Sequence, residues 1–421
     1  MFKKMLAVLI SMVFLTTVAF AGTPDVSYHG LWYTYSFIWS NADFNNDVKD
    51  WDQHYYMHGD FTVDADFGAG IGTHMTMGAW GTYGKHAVTG EGPETEVALR
   101  EAYLTTSDLF DSPISFRVGK EHICYGDQVF DGGEDGFMGV KLSYGSEMFD
   151  VDVFSYRLEE GGGTGFIGSG SAGTDDWDLH GLWATVKFPE TDITVSPYGF
   201  YRIREDDGPM WVGLRSDGSP PVEGLSYAAE FAMMMGKNEN VTPAVDYKGM
   251  HYMARVGYTV PNVPVTVGGA YVAFTGEDPE TDENECYESP TWGPYTFGFY
   301  KDWPGFGPAH LMKTICGFSL LAPWEPMVAN LNVINGNVGY TLDTGFGPLD
   351  IRADFFNYGR NIAEAGNSET AMGNEVALML KYTYKETITF GATGGYWIPG
   401  KYFGEDLDPM LGGYIWTAMS F

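Results

Sequence analysis

Apolar and polar residues alternate with a period of two along much of this chain. In Leu349-Asp350-Ile351-Arg352-Ala353-Asp354-Phe355, apolar residues are separated by charged ones. Phe61-Thr62-Val63-Asp64-Ala65-Asp66-Phe67 repeats the pattern, and Glu375–Tyr382 follows it more loosely with its charges at the ends. This period places successive side chains on opposite faces of a β-strand. In a soluble sandwich the apolar face looks inward. In a membrane barrel it looks out to lipid, and the charged face lines the lumen.

The connections decide between the two. Short ones fall at 67–70, 109–113, 144–148, 189–192, 218–224, 261–264, 343–348 and 384–387. Long ones alternate with them at 41–53, 84–95, 122–136, 158–175, 204–210, 236–246, 276–327, 359–374 and 399–410. Outer-membrane barrels have short periplasmic turns and long outer loops. The alternation therefore predicts an all-β transmembrane antiparallel barrel of 18 strands with both ends in the periplasm. Met210–Ser216 is the weakest strand, being short, and without it and a neighbour the count is 16. No linker or repeat divides residues 22–421, which read as a single barrel domain. Loop 276–327 is too long for a plain turn, so it is expected either to constrict the lumen or to cap it from outside.

The two ends of the chain fit a barrel. Tyr414–Phe421 is an aromatic-rich strand whose Ile415, Thr417, Met419 and Phe421 share a face. A strand in that place pairs with the first strand of a closed barrel and leaves no open edge. A terminal Phe is also the usual mark read by the barrel-assembly machinery, so Phe421 is expected to engage it. At the other end, Lys3 and Lys4, an apolar run from Met5 to Leu15, and Ala19-Phe20-Ala21 before Gly22 predict a signal peptide over 1–21. These features place the mature chain in the lipid of a Gram-negative outer membrane.

Composition supports the same class. The chain is 16% aromatic and has 56 glycines, and no segment approaches about 18 consecutive apolar residues. Its formal net charge of −33 excludes nucleic acid as a natural partner, because phosphate binding needs a basic footprint. Cys286 and Cys316 share the long loop in an oxidising compartment and are candidates for a disulfide; two separate thiols are the alternative. Asp278, Glu280 and Asp282 offer clustered oxygens for Ca²⁺, although ordinary solvated acidity explains them too. No other cofactor, nucleotide loop or catalytic set stands out, so no enzyme activity is expected. His54 and His58 stand four apart, but on a strand rather than the helix that a zinc site of that spacing needs.

Arginines are few, yet Arg100, Arg117, Arg202, Arg204, Arg215, Arg255 and Arg352 lie on or at the ends of predicted strands. Alternation sets Arg215, Arg255 and Arg352 opposite the apolar face, because Arg facing lipid at mid-bilayer costs about 2–4 kcal/mol. Glu101 beside Arg100 suggests a bulge. Asp64, Asp66, Asp152, Glu230, Asp350, Asp354, Glu375 and Lys381 are expected in the lumen with the arginines. Such a set either selects solutes as charged rings or rigidifies the wall as salt bridges.

Leu99-Arg100-Glu101-Ala102-Tyr103-Leu104, Ser115–Glu121, Tyr125-Gly126-Asp127, Val212–Arg215 with Gly224–Glu230, Phe274–Asp278, Glu375-Val376 and Tyr396–Gly400 together resemble the alginate export family of outer-membrane barrels. The resemblance implies a monomeric barrel of 18 strands, with Arg100, Arg117 and Arg215 as lumen arginines. In the family's namesake a basic lumen passes an anionic polysaccharide. This chain departs in its net charge and in the aspartates among its arginines, so neither a uniformly positive pore nor alginate itself is expected. The expected function is a channel for small solutes or a polysaccharide. The alternatives are a barrel scaffold around a partner such as a cytochrome, or a barrel enzyme.

Overall fold

The computed structural model describes residues 23–41, 44–45, 47, 52–83, 94–126, 130–131, 136–159, 177–204, 207–239, 243–290, 309, 311, 329–364 and 366–421. The signal segment and Cys316, and with Cys316 the proposed disulfide, lie outside these residues. The strands are β1 (Asp25–Ser40), β2 (Asp52–Gly68), β3 (Ile71–Tyr83), β4 (Glu94–Thr106), β5 (Ile114–Glu121), β6 (Cys124–Tyr125), β7 (Phe130–Asp131), β8 (Phe137–Gly145), β9 (Phe149–Glu159), β10 (Trp177–Phe188) and β11 (Ile193–Arg204). They continue as β12 (Met210–Gly218), β13 (Leu225–Met235), β14 (Lys237–Asn238), β15 (Val245–Asp246), β16 (Met250–Thr259), β17 (Val265–Phe274), β18 (Leu331–Asp343), β19 (Pro348–Gly359), β20 (Ala371–Tyr384), β21 (Ile388–Pro399) and β22 (Met410–Ser420). The pairs β6–β7 and β14–β15 are small ribbons within loops, and the rest form one 18-stranded sheet.

Each strand of that sheet pairs antiparallel with the next, and β22 returns to β1, from Leu31 opposite Ser420 to Ser40 opposite Leu411. Closure leaves no edge, which is what a strand in lipid requires. Phe421 extends the seam: its carbonyl accepts from the Gly30 amide at 2.8 Å and its amide donates to Gly30 at 3.1 Å. Its ring lies over Gly30, where a Cβ would come within 2.5 Å of it. Gly30 is therefore a close-approach position that lets the last ring fold onto the first strand. Met210–Gly218 pairs along its length with β11 and β13, so the count is 18 rather than 16.

Alternation sorts the faces as the sequence predicts. Along β20, Val376 and Leu378 are each 50% exposed, while Ala377 between them is 1% exposed. Leu380 and Phe355 are also exposed on the outer face, whereas Asp354 and Glu375 are buried on the inner one. Register explains Arg100. The β3–β4 ladder shifts between Thr76, opposite Glu101, and Met77, opposite Leu99. Arg100 is the extra residue of a bulge, as the neighbouring Glu101 suggested, and the bulge lets both side chains meet inward-facing partners.

One expectation needs correcting. The inner face is not simply the charged face. Tyr33, Tyr35, Phe37 and Trp39 on β1, Phe154 and Tyr156 on β9, Tyr198 and Phe200 on β11, Phe356 and Tyr358 on β19, and Tyr414 and Trp416 on β22 are all buried inside. The sequence alternation contrasts apolar with charged residues and does not register aromatic rings that alternate with aliphatic or small ones. On β1 the rings even alternate with the outward Thr34 and Ser36, so only closure of the barrel tells which face lies inside.

Candidate functional site in the barrel lumen

The lumen has two halves. At the turn ends of the strands, inward residues such as Asp64, Lys187, Arg255, Asp350 and Lys381 are half-exposed. At the loop ends, inward residues such as Tyr33, Leu179, Trp211, His251, Phe274, Tyr358 and Trp397 are buried. They are buried because segments of the long connections stand inside the barrel.

The first such segment follows β5. Tyr125, on the β6–β7 ribbon, stacks on Trp183 with ring centroids 5.0 Å apart and on Phe154 at 5.6 Å, both nearly parallel. Its hydroxyl donates to Asp152 Oδ2 at 2.8 Å. Burial pushes the phenol well above its ordinary pKa, and the adjacent Asp152 charge adds to the shift, so Tyr125 keeps its proton and donates. The next residue, Gly126, sits in the left-handed region at φ +65°, and a Cβ there would lie 2.9 Å from Glu230 Oε2. A chain starting at β5 thus reaches a carboxylate on β13.

The second segment opens the long connection after β17. Tyr287 packs with His251 and Phe274, each 5.6 Å between centroids. Glu288 accepts from Arg202 at 3.1 Å, and its carbonyl accepts from Trp211 Nε1 at 2.8 Å. Arg202 also lies 5.0 Å and 5.2 Å from the rings of Trp177 and Trp211. Further along the same connection, Ala309 and Leu311 are buried against the inner face of β21 and β22. A Cβ on Gly395 would come 2.5 Å from Ala309, and one on Gly412 would come 2.9 Å from Leu311. Glycine at these inward positions is what lets a loop lie on the wall. Loop 276–327 therefore places Tyr287, Glu288, Ala309 and Leu311 against the inner wall, while its acidic stretch from Glu277 to Asp282 is largely exposed.

Between these segments the wall charges are paired. Arg215 donates to Glu230 at 3.1 Å and to Asp217 at 2.9 Å, while Tyr198 donates to the other oxygen of Glu230 at 2.8 Å. Arg100 meets Asp60 at 2.6 Å. Arg117 and Lys141 share Glu121, which also accepts from Tyr156 at 2.8 Å. Arg352 meets Asp354 at 2.8 Å, and Asn335 donates to the same carboxylate at 3.3 Å. The structure thus brings Arg100, Arg117, Arg202, Arg215 and Arg352 inside, each with a carboxylate partner. Arg255 and Lys381 also face inward, Lys381 opposite Asp350 in the ladder, and Asp350 accepts from Thr341 at 2.7 Å. Glu375 is buried between Phe356 and Trp397 in the register.

Sequence reasoning missed Asp60, Glu121, Asp217 and Glu288 as partners, and Tyr125, Trp183, Tyr198, Tyr287 and Leu311 as lumen residues. The glycine pairs Gly394-Gly395 on β21 and Gly412-Gly413 on β22 were the available signal for a loop lying on the wall. Among the described residues no group of three or more His, Cys, Asp or Glu is placed to hold a metal ion. In the acidic stretch, Asp278 Oδ1 accepts from the Glu280 amide at 2.9 Å.

The fold is shared with solved outer-membrane porins of Pseudomonas aeruginosa. OccK5 (OpdH) superposes with a TM-score of 0.57 at 12% identity, over 94% of this chain and 98% of that one. OprD gives 0.57 at 11%, over 94% of each chain. OpdK gives 0.61 at 8%, over 94% of this chain and 98% of its own. No curated protein matches the sequence. The alginate export family model matches residues 30–285, more than half of the chain. An 18-stranded closed barrel with that match over its first thirteen wall strands belongs to the alginate export family and is an outer-membrane channel.

Proposed function

We propose that this barrel is a passive channel for small, neutral or weakly cationic solutes, entered from an open turn-side vestibule and narrowed by two inward loops near the outside. The pairing of the wall arginines is the observation that carries this reading. An exporter of a polyanion needs uncompensated positive charge along its wall. Here each of Arg100, Arg117, Arg202, Arg215 and Arg352 already faces a carboxylate. The net charge of −33 then leaves an acidic field that concentrates cations at the mouth. A barrel that sheathes a protein needs a clear lumen, and the inserted loop segments argue against that alternative. No catalytic step is part of this function.

The test is the reversal potential of single channels in a salt gradient. A weak cation preference that fades as salt rises is expected, since screening confines exposed charges to about 8 Å at physiological ionic strength. Strong anion selectivity would reject the reading in favour of polyanion export.

A further inference from the structure

The column of rings beside the first inward loop is built like a ligand site with its ligand already in place. Tyr198, Trp183, Tyr125 and Phe154 follow one another nearly parallel, at 4.7, 5.0 and 5.6 Å between centroids. Three of them belong to the barrel wall and one to a loop. The wall rings are fixed without help from Tyr125. Trp183 Nε1 donates to Thr185 at 3.1 Å, and the Tyr198 hydroxyl is held by Glu230. Phe154 lies over Gly181, where a Cβ would come within 2.1 Å of its ring, so the missing side chain makes the place where that ring rests. The slot between Trp183 and Phe154 is therefore a property of the wall. Its third side is the Asp152 carboxylate, which accepts one hydroxyl from the ring in the slot. The loop reaches the slot through a short ribbon in which Cys124 pairs with Asp131 and Tyr125 with Phe130.

We propose that the slot between Trp183 and Phe154 is a binding site for a phenolic ring, that Tyr125 is its internal occupant, and that a small neutral phenol in the lumen competes with the loop for it. The two flat faces select an aromatic ring, which gains by offset stacking on both sides. Asp152 selects a ring that carries a hydroxyl donor, because an apolar ring would leave the carboxylate without that bond. The same carboxylate, with Glu121 and Glu230 near by, disfavours a ring bearing its own carboxylate. The proposal rests on the channel reading only for the route by which the solute arrives.

Binding of p-cresol, the side-chain analogue of tyrosine, to the refolded full-length barrel tests it, with toluene as the ring lacking a hydroxyl. Tyr125→Ala, by removing the internal competitor, is expected to bind p-cresol about tenfold more tightly than wild type. Asp152→Ala is expected to lose the preference for p-cresol over toluene. Trp183→Leu, which keeps apolar bulk but removes the flat face, is expected to abolish saturable binding. Heat-modifiable migration identifies which variants are folded, so the Tyr125 and Asp152 variants decide the matter if the wall variant does not assemble. Equal affinity of wild type and Tyr125→Ala, or binding undiminished in folded Trp183→Leu, would overturn the proposal. If the wild-type barrel carries no current in a bilayer, the channel reading falls while the titration still decides whether the slot binds phenols.

Discussion

The loop-side and turn-side halves of the lumen are made by the same strands with the same alternation, yet they differ in kind. On β19, Asp350 and Arg352 at the turn side are half-exposed, while Asp354, Phe356 and Tyr358 at the loop side are buried. On β11, Thr194 is half-exposed, whereas Tyr198, Phe200 and Arg202 are buried. The strands themselves do not cause this gradient. Inward segments of two connections displace water from one half, and that half has acquired rings and ion pairs such as Arg202–Glu288 and Arg215–Glu230 to receive them. The other half remains a wet vestibule, where charges need no partner because water solvates them.

The sharpest way to break the comparison is to remove one member of an ion pair in each half. Arg215 and Glu230 have side chains 7% and 1% exposed. Arg215→Met leaves Glu230 buried without its guanidinium partner, and is expected to lower stability by about 3–5 kcal/mol. Lys187 and Asp150, 2.6 Å apart in the vestibule, are 35% and 44% exposed. Lys187→Met is expected to change stability by no more than about 1 kcal/mol. Urea unfolding of the refolded barrel in detergent measures both. Equal losses would mean that the two halves are equally wet.

A smaller effect is expected from adding one methyl group. Gly412 faces Leu311 and Trp39, where a Cβ would come within 2.9 Å of each. Gly412→Ala should destabilise by about 1–3 kcal/mol through overpacking. The inward Gly339 in the vestibule has its nearest neighbour at 3.8 Å from a built Cβ. Gly339→Ala should be neutral or gain up to about 1 kcal/mol, since a strand glycine loses backbone entropy. A neutral Gly412→Ala would mean that the loop yields and does not rest firmly on the wall.

The smallest effect concerns selectivity. Arg352 lies in the vestibule with its side chain 23% exposed. Arg352→Glu should raise the cation-to-anion permeability ratio roughly two- to fivefold at low salt, because water and counterions screen it. Reversal potentials for wild type and variant settle this. A shift that persists in high salt would place Arg352 at the narrowest point instead.

Much of the architecture was legible in the residues. The alternation of Leu349–Phe355 gave the faces of β19, and the spacing of short and long connections gave the count of 18. The aromatic C-terminal strand gave the seam, and Glu101 beside Arg100 gave the bulge. The inward arginines were legible because lipid excludes them. The pairing of Arg352 with Asp354, two apart on one strand, was within reach of the alternation, whereas Asp60 with Arg100, or Arg202 with Glu288, meet across strands or between loop and wall at separations that no local pattern encodes.

The sequence by itself determined that the chain is a closed barrel, where its turns fall and which side of each amphipathic strand avoids lipid, since these depend on period and on the cost of charge in a bilayer. Only the tertiary structure decided which rings point inward, which charges neutralise one another, and that Tyr125, Glu288 and Leu311 stand inside the pore. The physical reason is closure. A strand's own pattern fixes its two faces, but what fills a lumen depends on how far each loop reaches across it once 18 strands have set its width.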